Sequence, residues 1–208
     1  MIPSQIHAAK GLVIALSGPS GVGKGSVISK VREIAPRIKH SVSVTTRAPR
    51  EDENDGIDYY FRTNEQFEKM IADNEILEYD IYCDFYYGTL CAPLFESVER
   101  GEDIIMDITV PGSLAVMKRF PDAVSIFLLP PSFHELERRL VARGTESEET
   151  RIKRLEKAIV EIRKAKLFDY VLINDDLDKT AARILAIAEA ERHRYKRLEG
   201  IEEAVIIN

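Results

Sequence analysis

Among its 208 residues the chain has no tryptophan and only two cysteines. Two cysteines exclude a disulfide framework, and the spacing of Cys83 and Cys91 fits no common zinc site. Both read as structural thiols in a reducing compartment. Long apolar runs are missing too: nothing approaches the roughly 18 residues of a membrane span. The opening MIPSQIHAAK has neither the basic start nor the apolar centre of a signal peptide. Nor is there an excess of basic charge. Against 35 Asp and Glu stand 29 Lys and Arg, a net charge of -6, which disfavours non-specific binding to nucleic acid or to an anionic membrane. Phosphate chemistry, if there is any, falls to local cations. His7, His40, His134 and His193 share no motif, and no chemistry is assigned to them. The expectation is a cytoplasmic chain whose partners include neither nucleic acid nor membrane.

What is present is an apolar fraction of 45%, enough for one core with a small insert. LVIALS (12–17), DIIMDI (103–108), AVSIFLL (123–129) and DYVLIN (169–174) are continuous apolar stretches, the pattern of parallel strands covered on both faces. Between them GSVISKVREIA, PGSLAVMKRF, SFHELERRLVAR and TAARILAIAEAERHRYKRL repeat apolar residues at helical spacing. The fold class is therefore α/β, a parallel sheet flanked by helices. From about His40 to Leu94 the pattern changes to alternating polar and aromatic residues, which reads as an inserted subdomain. RGTESEETRIKR, from 143, is polar and opened by glycine and reads as a mobile loop leading into a helix.

The segment GPSGVGKGS, comprising Gly18, Pro19, Ser20, Gly21, Val22, Gly23, Lys24, Gly25 and Ser26, matches G-x-x-x-x-G-K between an apparent buried strand and a helix start. Glycines there let backbone N–H groups converge on an anion, and the helix adds the positive end of its dipole. Lys24 supplies a point charge for the β- and γ-phosphates of a nucleoside triphosphate. The position after the lysine is Gly25, so the hydroxyl comes one residue later, at Ser26. Ser26 is thus expected to contact phosphate, or to reach magnesium through water.

SVSVTTRAPREDENDGIDYYF (41–61) holds Arg47 and Arg50 around Pro49, which keeps Ala48 extended. Two readings fit. The guanidinium forks suit a phosphate monoester, with Ser43, Thr45, Thr46, Tyr59 and Tyr60 supplying hydroxyls; or this is an edge strand whose arginines pair with Glu51, Asp52 and Glu53.

GPSGVGKGS, SVSVTTRAPR, DGIDYYF, YYGT, PPSFHELERRLVARGTESEET and INDDLDK, in this order and spacing, resemble the guanylate kinase family from about residue 11 to 180. The resemblance implies an ATP:GMP phosphotransferase in three parts: a P-loop core (11–39 and 95–208), a nucleoside-monophosphate-binding subdomain (40–94) and a lid (143–155). It implies ATP and Mg2+ as donor and cofactor, nucleotides as partners, and a monomer or homodimer. It puts the GMP phosphate on Arg47, Arg50, Tyr59 and Tyr87, and the guanine on Ser43, Glu78 and Thr89. Arg139, Arg143 and Arg154 correspond to core and lid arginines that close over the transferring group. Asn174 corresponds to an adenine-contacting asparagine, and Asp107, ending DIIM, to a carboxylate that organises hydrated magnesium. Arg138, Arg151 and Arg163 read as solvated helix charges.

The residues support that assignment chemically. Guanine presents N1–H and N2–H together, which one carboxylate such as Glu78 accepts as a pair, while O6 calls for a hydroxyl from Ser43 or Thr89. Each also has a plainer reading: Glu78 as a solvated strand-end acid, Asp107 as a strand terminator, Asn174 as a turn residue. Three places depart from the family pattern. Thr109 and Pro111 stand where it has an acid and a glutamine, Asp84-Phe85 replaces Gly-Asn, and Asp52 replaces a glycine. All lie near the acceptor, so Thr109 is expected to line the base with only a hydroxyl. A related kinase with another phosphorylated acceptor, or a non-catalytic interaction module, are the competing functions. The latter sits poorly with Lys24, Arg143 and Arg154 all present.

Overall fold

The protein is described here by a computed structural model that covers residues 10–82, 84–142 and 148–206. Two sheets organise it. The larger has five strands in the order β2-β7-β1-β8-β9: β1 (Val13–Ser17), β2 (Lys39–His40), β7 (Ile104–Asp107), β8 (Val124–Leu129) and β9 (Tyr170–Ile173). All its pairings are parallel.

Strand β1 explains the apolar runs. Leu12, Ile14 and Leu16 face a cluster with Val27 and Val31 of α1 (Lys24–Ile34) and with Ala181 and Ile184 of α7 (Leu177–Arg192). Val13 and Ala15 face the other way, toward Leu94 and Val98 of α3 (Cys91–Glu99) and Val116 of α4 (Val110–Arg119). With both faces covered, alternation disappears from the sequence and every position becomes apolar. The same expectation fails for the outermost strand: in β9, Val171 and Ile173 are about half exposed, so DYVLIN forms an edge strand covered on one face. The last long helix is also shorter than its apolar repeat suggested. It stops at Arg192, and Tyr195–Arg197 forms a separate 3-10 turn before α8 (Ile201–Ile206).

Between β2 and β7 lies the second sheet, order β4-β3-β6-β5, built from β3 (Ser43–Thr45), β4 (Tyr59–Phe61), β5 (Ile76–Tyr82) and β6 (Phe85–Leu90). Helix α2 (Asn64–Ala72), which the sequence reading did not single out, is started by a capping box between Thr63 and Gln66. Phe67 is its buried anchor and stacks on Tyr86 of β6. His40 belongs to the larger sheet, at the end of β2. Two further helices, α5 (Phe133–Ala142) and α6 (Glu148–Ile162), pack on each other through Leu136, Leu140 and Ala158. The expected loop from 143 falls largely outside the described residues, as do Arg143 and Cys83. Cys91 is a free, partly buried thiol at the start of α3. Among the described residues no helix is long and apolar enough to cross a membrane.

Candidate active site

The phosphate loop leaves β1 at Ser17 and re-enters regular structure at Lys24. Gly23 is the N-cap of α1 with φ 99°, a left-handed conformation that glycine adopts without strain, and a Cβ there would lie 2.9 Å from Asn174 Nδ2. At Gly18 a Cβ would sit 2.6 Å from the Leu128 carbonyl oxygen. The loop is therefore pressed against β8 and the end of β9, where only glycine fits. No side chain caps α1 and no acid stands in its first turn. Its leading N–H groups are left for an anion, at the positive end of the helix dipole.

Lys24 donates from Nζ to the Gly18 carbonyl at 3.1 Å and lies 3.7 Å from Asp107 Oδ1. Asp107 ends β7 in register with Leu16 of β1, which places its carboxylate beside the loop. Ser26 is exposed on the first turn of α1, and a Cβ at Gly25 would meet nothing within 4 Å. Among the described residues no cluster of three or more His, Cys, Asp or Glu could chelate a metal. One carboxylate and one hydroxyl beside a phosphate cradle suit a magnesium ion that keeps most of its waters and binds mainly through substrate phosphates.

The residues behind the loop do something the sequence did not announce. Asn174 is buried and donates from Nδ2 to the Val22 carbonyl at 2.8 Å. Arg139 donates to the same carbonyl at 3.1 Å, to the Asn174 carbonyl at 3.2 Å and to Glu135 Oε1 at 2.8 Å. The hydrogen bonds of Arg138 and Arg139 hold the Glu135 carboxyl down at about 2. Arg139, expected to close over a phosphoryl group, braces the loop from α5 in this structure. Arg154 does reach the loop face: it is buried and donates from Nη2 to Ser20 Oγ at 2.7 Å.

The second sheet builds the other half. Register places Ser43 of β3 opposite Tyr59 of β4 and Thr89 of β6, and Thr89 opposite Glu78 of β5. Tyr59, Ser43, Thr89 and Glu78 thus form one cross-strand row on one face of the sheet. Thr89 is buried and donates from Oγ1 to Glu78 Oε1 at 2.7 Å. Burial pushes the Glu78 carboxyl up, with the Thr89 hydrogen bond opposing that shift. Glu78 is therefore no solvated strand-end acid. Its Oε2 lies where a Cβ on Gly112 would come within 2.3 Å, so glycine at that place lets the carboxylate rest against the start of α4. Thr109 is the N-cap of that helix, accepting from the Gly112 N–H at 3.3 Å.

These side chains meet in a cavity of about 270 Å3 whose lining includes Lys24, Ser43, Tyr59, Glu78, Tyr87, Asp107 and Thr109. His40, Asp58, Asp80 and Lys157 also line it, though the sequence reading gave them no role. Burial lowers the His40 imidazole, Asp107 raising it and Arg32 lowering it further. Its position at the end of a two-residue strand carries no motif, so no sequence signal marked it.

Arg47 and Arg50 do not line this cavity. Arg47 is ion-paired to Glu53 at 2.8 Å, donates to the Ala48 carbonyl and lies over the Tyr59 ring at 5.5 Å, whereas Arg50 is largely exposed. Glu53 also accepts from the Arg50 N–H at 2.9 Å, so one carboxylate holds both arginine segments. Those contacts hold its carboxyl below the usual range, the Arg50 N–H foremost. Pairing with Glu53, weighed in the sequence as an alternative to phosphate binding, is here what fixes Arg47 beside Tyr59. Thr45 and Thr46, read as hydroxyls for phosphate, instead clamp β3 to β6 through the Tyr86 carbonyl and N–H. Tyr60 points away from the cavity row, its ring under Arg62.

Comparison with known proteins agrees with this geometry. The family described as guanylate kinase matches residues 10–191. A guanylate kinase of Halalkalibacterium halodurans is 50% identical over 189 residues, covering 91% of this chain and 93% of the relative. One from Thermus thermophilus is 49% identical over 197 residues, covering 94% and 89%. The crystal structure of guanylate kinase from Anaplasma phagocytophilum superposes with a TM-score of 0.78 at 34% identity, covering 95% of this chain and 94% of that one. A phosphate loop on a five-stranded parallel sheet, a facing four-stranded sheet with a Ser-Thr-Glu row, and near-complete matches of this kind place the chain in the guanylate kinase family.

Proposed function

We propose that this chain transfers the γ-phosphoryl group of ATP to GMP, giving ADP and GDP, with the donor on the phosphate loop and the guanine on the Ser43–Thr89–Glu78 row. The observation that carries the reading is the position of Glu78. A carboxylate held at the edge of a cavity by Thr89, opposite a phosphate-loop lysine, suits a base with adjacent N–H donors. The bond that breaks joins the γ-phosphorus to the β,γ-bridging oxygen, and the bond that forms joins it to a GMP phosphate oxygen. No histidine base is called for; positioning and charge stabilisation suffice. A magnesium ion bound with the donor would supply charge neutralisation for its phosphates. Asp107 and Ser26 would hold its water shell.

In this reading Arg47, Arg50, Tyr59 and Tyr87 bind the acceptor phosphate, Arg50 swinging in from solvent. Arg154, with Arg143 of the lid, closes on the transferring group from α6. Asn174, its Nδ2 committed to the loop, keeps Oδ1 for a donor such as the exocyclic amine of adenine. The 40–94 segment acts as the acceptor arm, the 143–155 segment as the lid and the remainder as the core. The enzyme works on free nucleotides in the cytoplasm, as a monomer or homodimer. ADP release from ATP and Mg2+ with a panel of nucleoside monophosphates tests the function: GMP should be preferred. A different preferred acceptor would overturn the assignment.

Thr109 should set how strictly GMP is preferred. It faces the cavity, but its hydroxyl already caps α4. Aspartate is as good an N-cap, so Thr109→Asp should keep the helix while offering a second carboxylate oxygen to guanine. A charged acceptor is worth about 1.5–3 kcal/mol against roughly 1 for a neutral one. The GMP-to-IMP ratio of kcat/KM should therefore widen by about tenfold. Steady-state kinetics on both acceptors checks this, and an unchanged ratio would mean that residue 109 does not meet the base.

A further inference from the structure

Two cavities meet at Lys24. One holds the Ser43–Thr89–Glu78 side of the site; the other, about 190 Å3, is lined by Gly18, Ser20, Arg154 and Glu161. Three residues line both: Lys24, Thr109 and Lys157. If the first cavity receives the acceptor and the second the terminal phosphates of the donor, as proposed above, the phosphoryl group crosses where they join.

Lys157 stands there on α6, in none of the motifs that the sequence displays. Arg154, Lys157 and Glu161 are spaced i, i+3, i+7, so they share one face of that helix. Arg154 fixes the face to the loop through Ser20. Glu161, whose carboxyl burial pushes up, feels Lys157 and Lys24 together and contacts the Ser20 N–H. Between these anchors, Lys157 is the member of the face that reaches the acceptor cavity.

Charge shows why a cation belongs at that junction. Asp58, Glu78, Asp80 and Asp107 line the acceptor cavity, against which the lining offers Lys24 and Lys157, with His40 biased toward neutrality. Into this surplus of negative charge the reaction brings a phosphate monoester and a triphosphate tail. We propose that Lys157 is a further catalytic residue, its ammonium meeting phosphate oxygens at the junction, so that the acceptor phosphate and the γ-phosphoryl group can approach and the charge in transit is stabilised. The proposal rests on the kinase reading of the site.

Lys157 is exposed, so its replacement leaves the core intact. Lys157→Met, Lys157→Arg and the control Arg163→Met, an exposed charge just past the end of α6, are compared with the unaltered chain by steady-state kinetics with ATP, Mg2+ and GMP. Lys157→Met should lower kcat by at least about tenfold while both KM values stay within about threefold, the pattern of a contact made in the transition state. Lys157→Arg should recover most of the rate, and Arg163→Met should not differ from the unaltered chain. The proposal is overturned if Lys157→Met keeps kcat within about twofold, if only KM changes, or if Arg163→Met falls equally. No turnover of GMP by the unaltered chain would defeat the kinase reading itself, and this proposal with it.

Discussion

Lys24→Met should lower kcat with ATP and GMP by about a thousandfold or more while leaving thermal unfolding within a few degrees of the unaltered protein. In the ligand-free protein the lysine makes one hydrogen bond to its own loop and a 3.7 Å contact with a partly exposed carboxylate. Contacts of that kind contribute little to folding, since exposed or half-exposed ion pairs are worth about 0–1 kcal/mol. In the proposed reading a bound triphosphate would set the same ammonium against oxygens that carry the charge moving in the transition state, in a loop otherwise armed only with backbone dipoles. Methionine preserves the stem and removes the charge. Turnover assays paired with thermal denaturation separate the two effects. A variant that kept its rate would mean that the loop does not hold the reacting phosphates; one that unfolded would mean that Lys24 is a structural cation.

How far the sequence announced this site depends on how local each device is. The phosphate loop was legible because its glycines answer to a local demand, a left-handed backbone at Gly21 and Gly23. That Ser43, Glu78 and Thr89 belong together was legible only through the resemblance. Ser43, Glu78 and Thr89 lie far apart in the chain, and only strand register brings them side by side. What stayed hidden is geometry between elements. The room that Gly112 leaves for Glu78, the bracing of Val22 by Arg139 and Asn174, and Lys157 at the junction of two cavities are long-range encounters that no periodicity encodes.

Two of the departures from the family pattern have structural explanations. Asp84 takes φ 66°, the left-handed conformation for which the family's glycine is suited, and aspartate is among the few other residues that tolerate it. Pro111 lies in the first turn of α4, where a missing N–H costs no helical hydrogen bond. Neither substitution disturbs the Ser43–Thr89–Glu78 row. Thr109 alone changes what the cavity can offer, and in the proposed reading the burden of recognising guanine then falls on Glu78.

Glu78→Gln should therefore lower kcat/KM for GMP by at least about a hundredfold and collapse the preference for GMP over IMP. An ionised carboxylate accepts N1–H and N2–H together; an amide offers one oxygen and turns an N–H toward one of those donors, so a hydrogen bond to charge is lost and a repulsion gained. A site built to pair a polar group discriminates steeply once its own partner is unpaired, and IMP, lacking the 2-amino group, should lose less. The fold should survive, because the glutamine oxygen still accepts from Thr89 and the half-buried charge is gone. Acidity gives an independent readout. Burial raises the Glu78 carboxyl, Asp80 adding to the shift and Thr89 opposing it, so Glu78 takes up its proton at a higher pH than an ordinary carboxylate. Recognition requires the ionised form, so kcat/KM for GMP should fall as pH drops through that raised value. The phosphate of GMP titrates near pH 6 and adds its own limb, common to both proteins. The limb due to Glu78 should vanish in Glu78→Gln, leaving a shallower acid decline measured from pH 4.5 to 8. Identical profiles, or equal losses toward GMP and IMP, would show that Glu78 supports the sheet rather than the base.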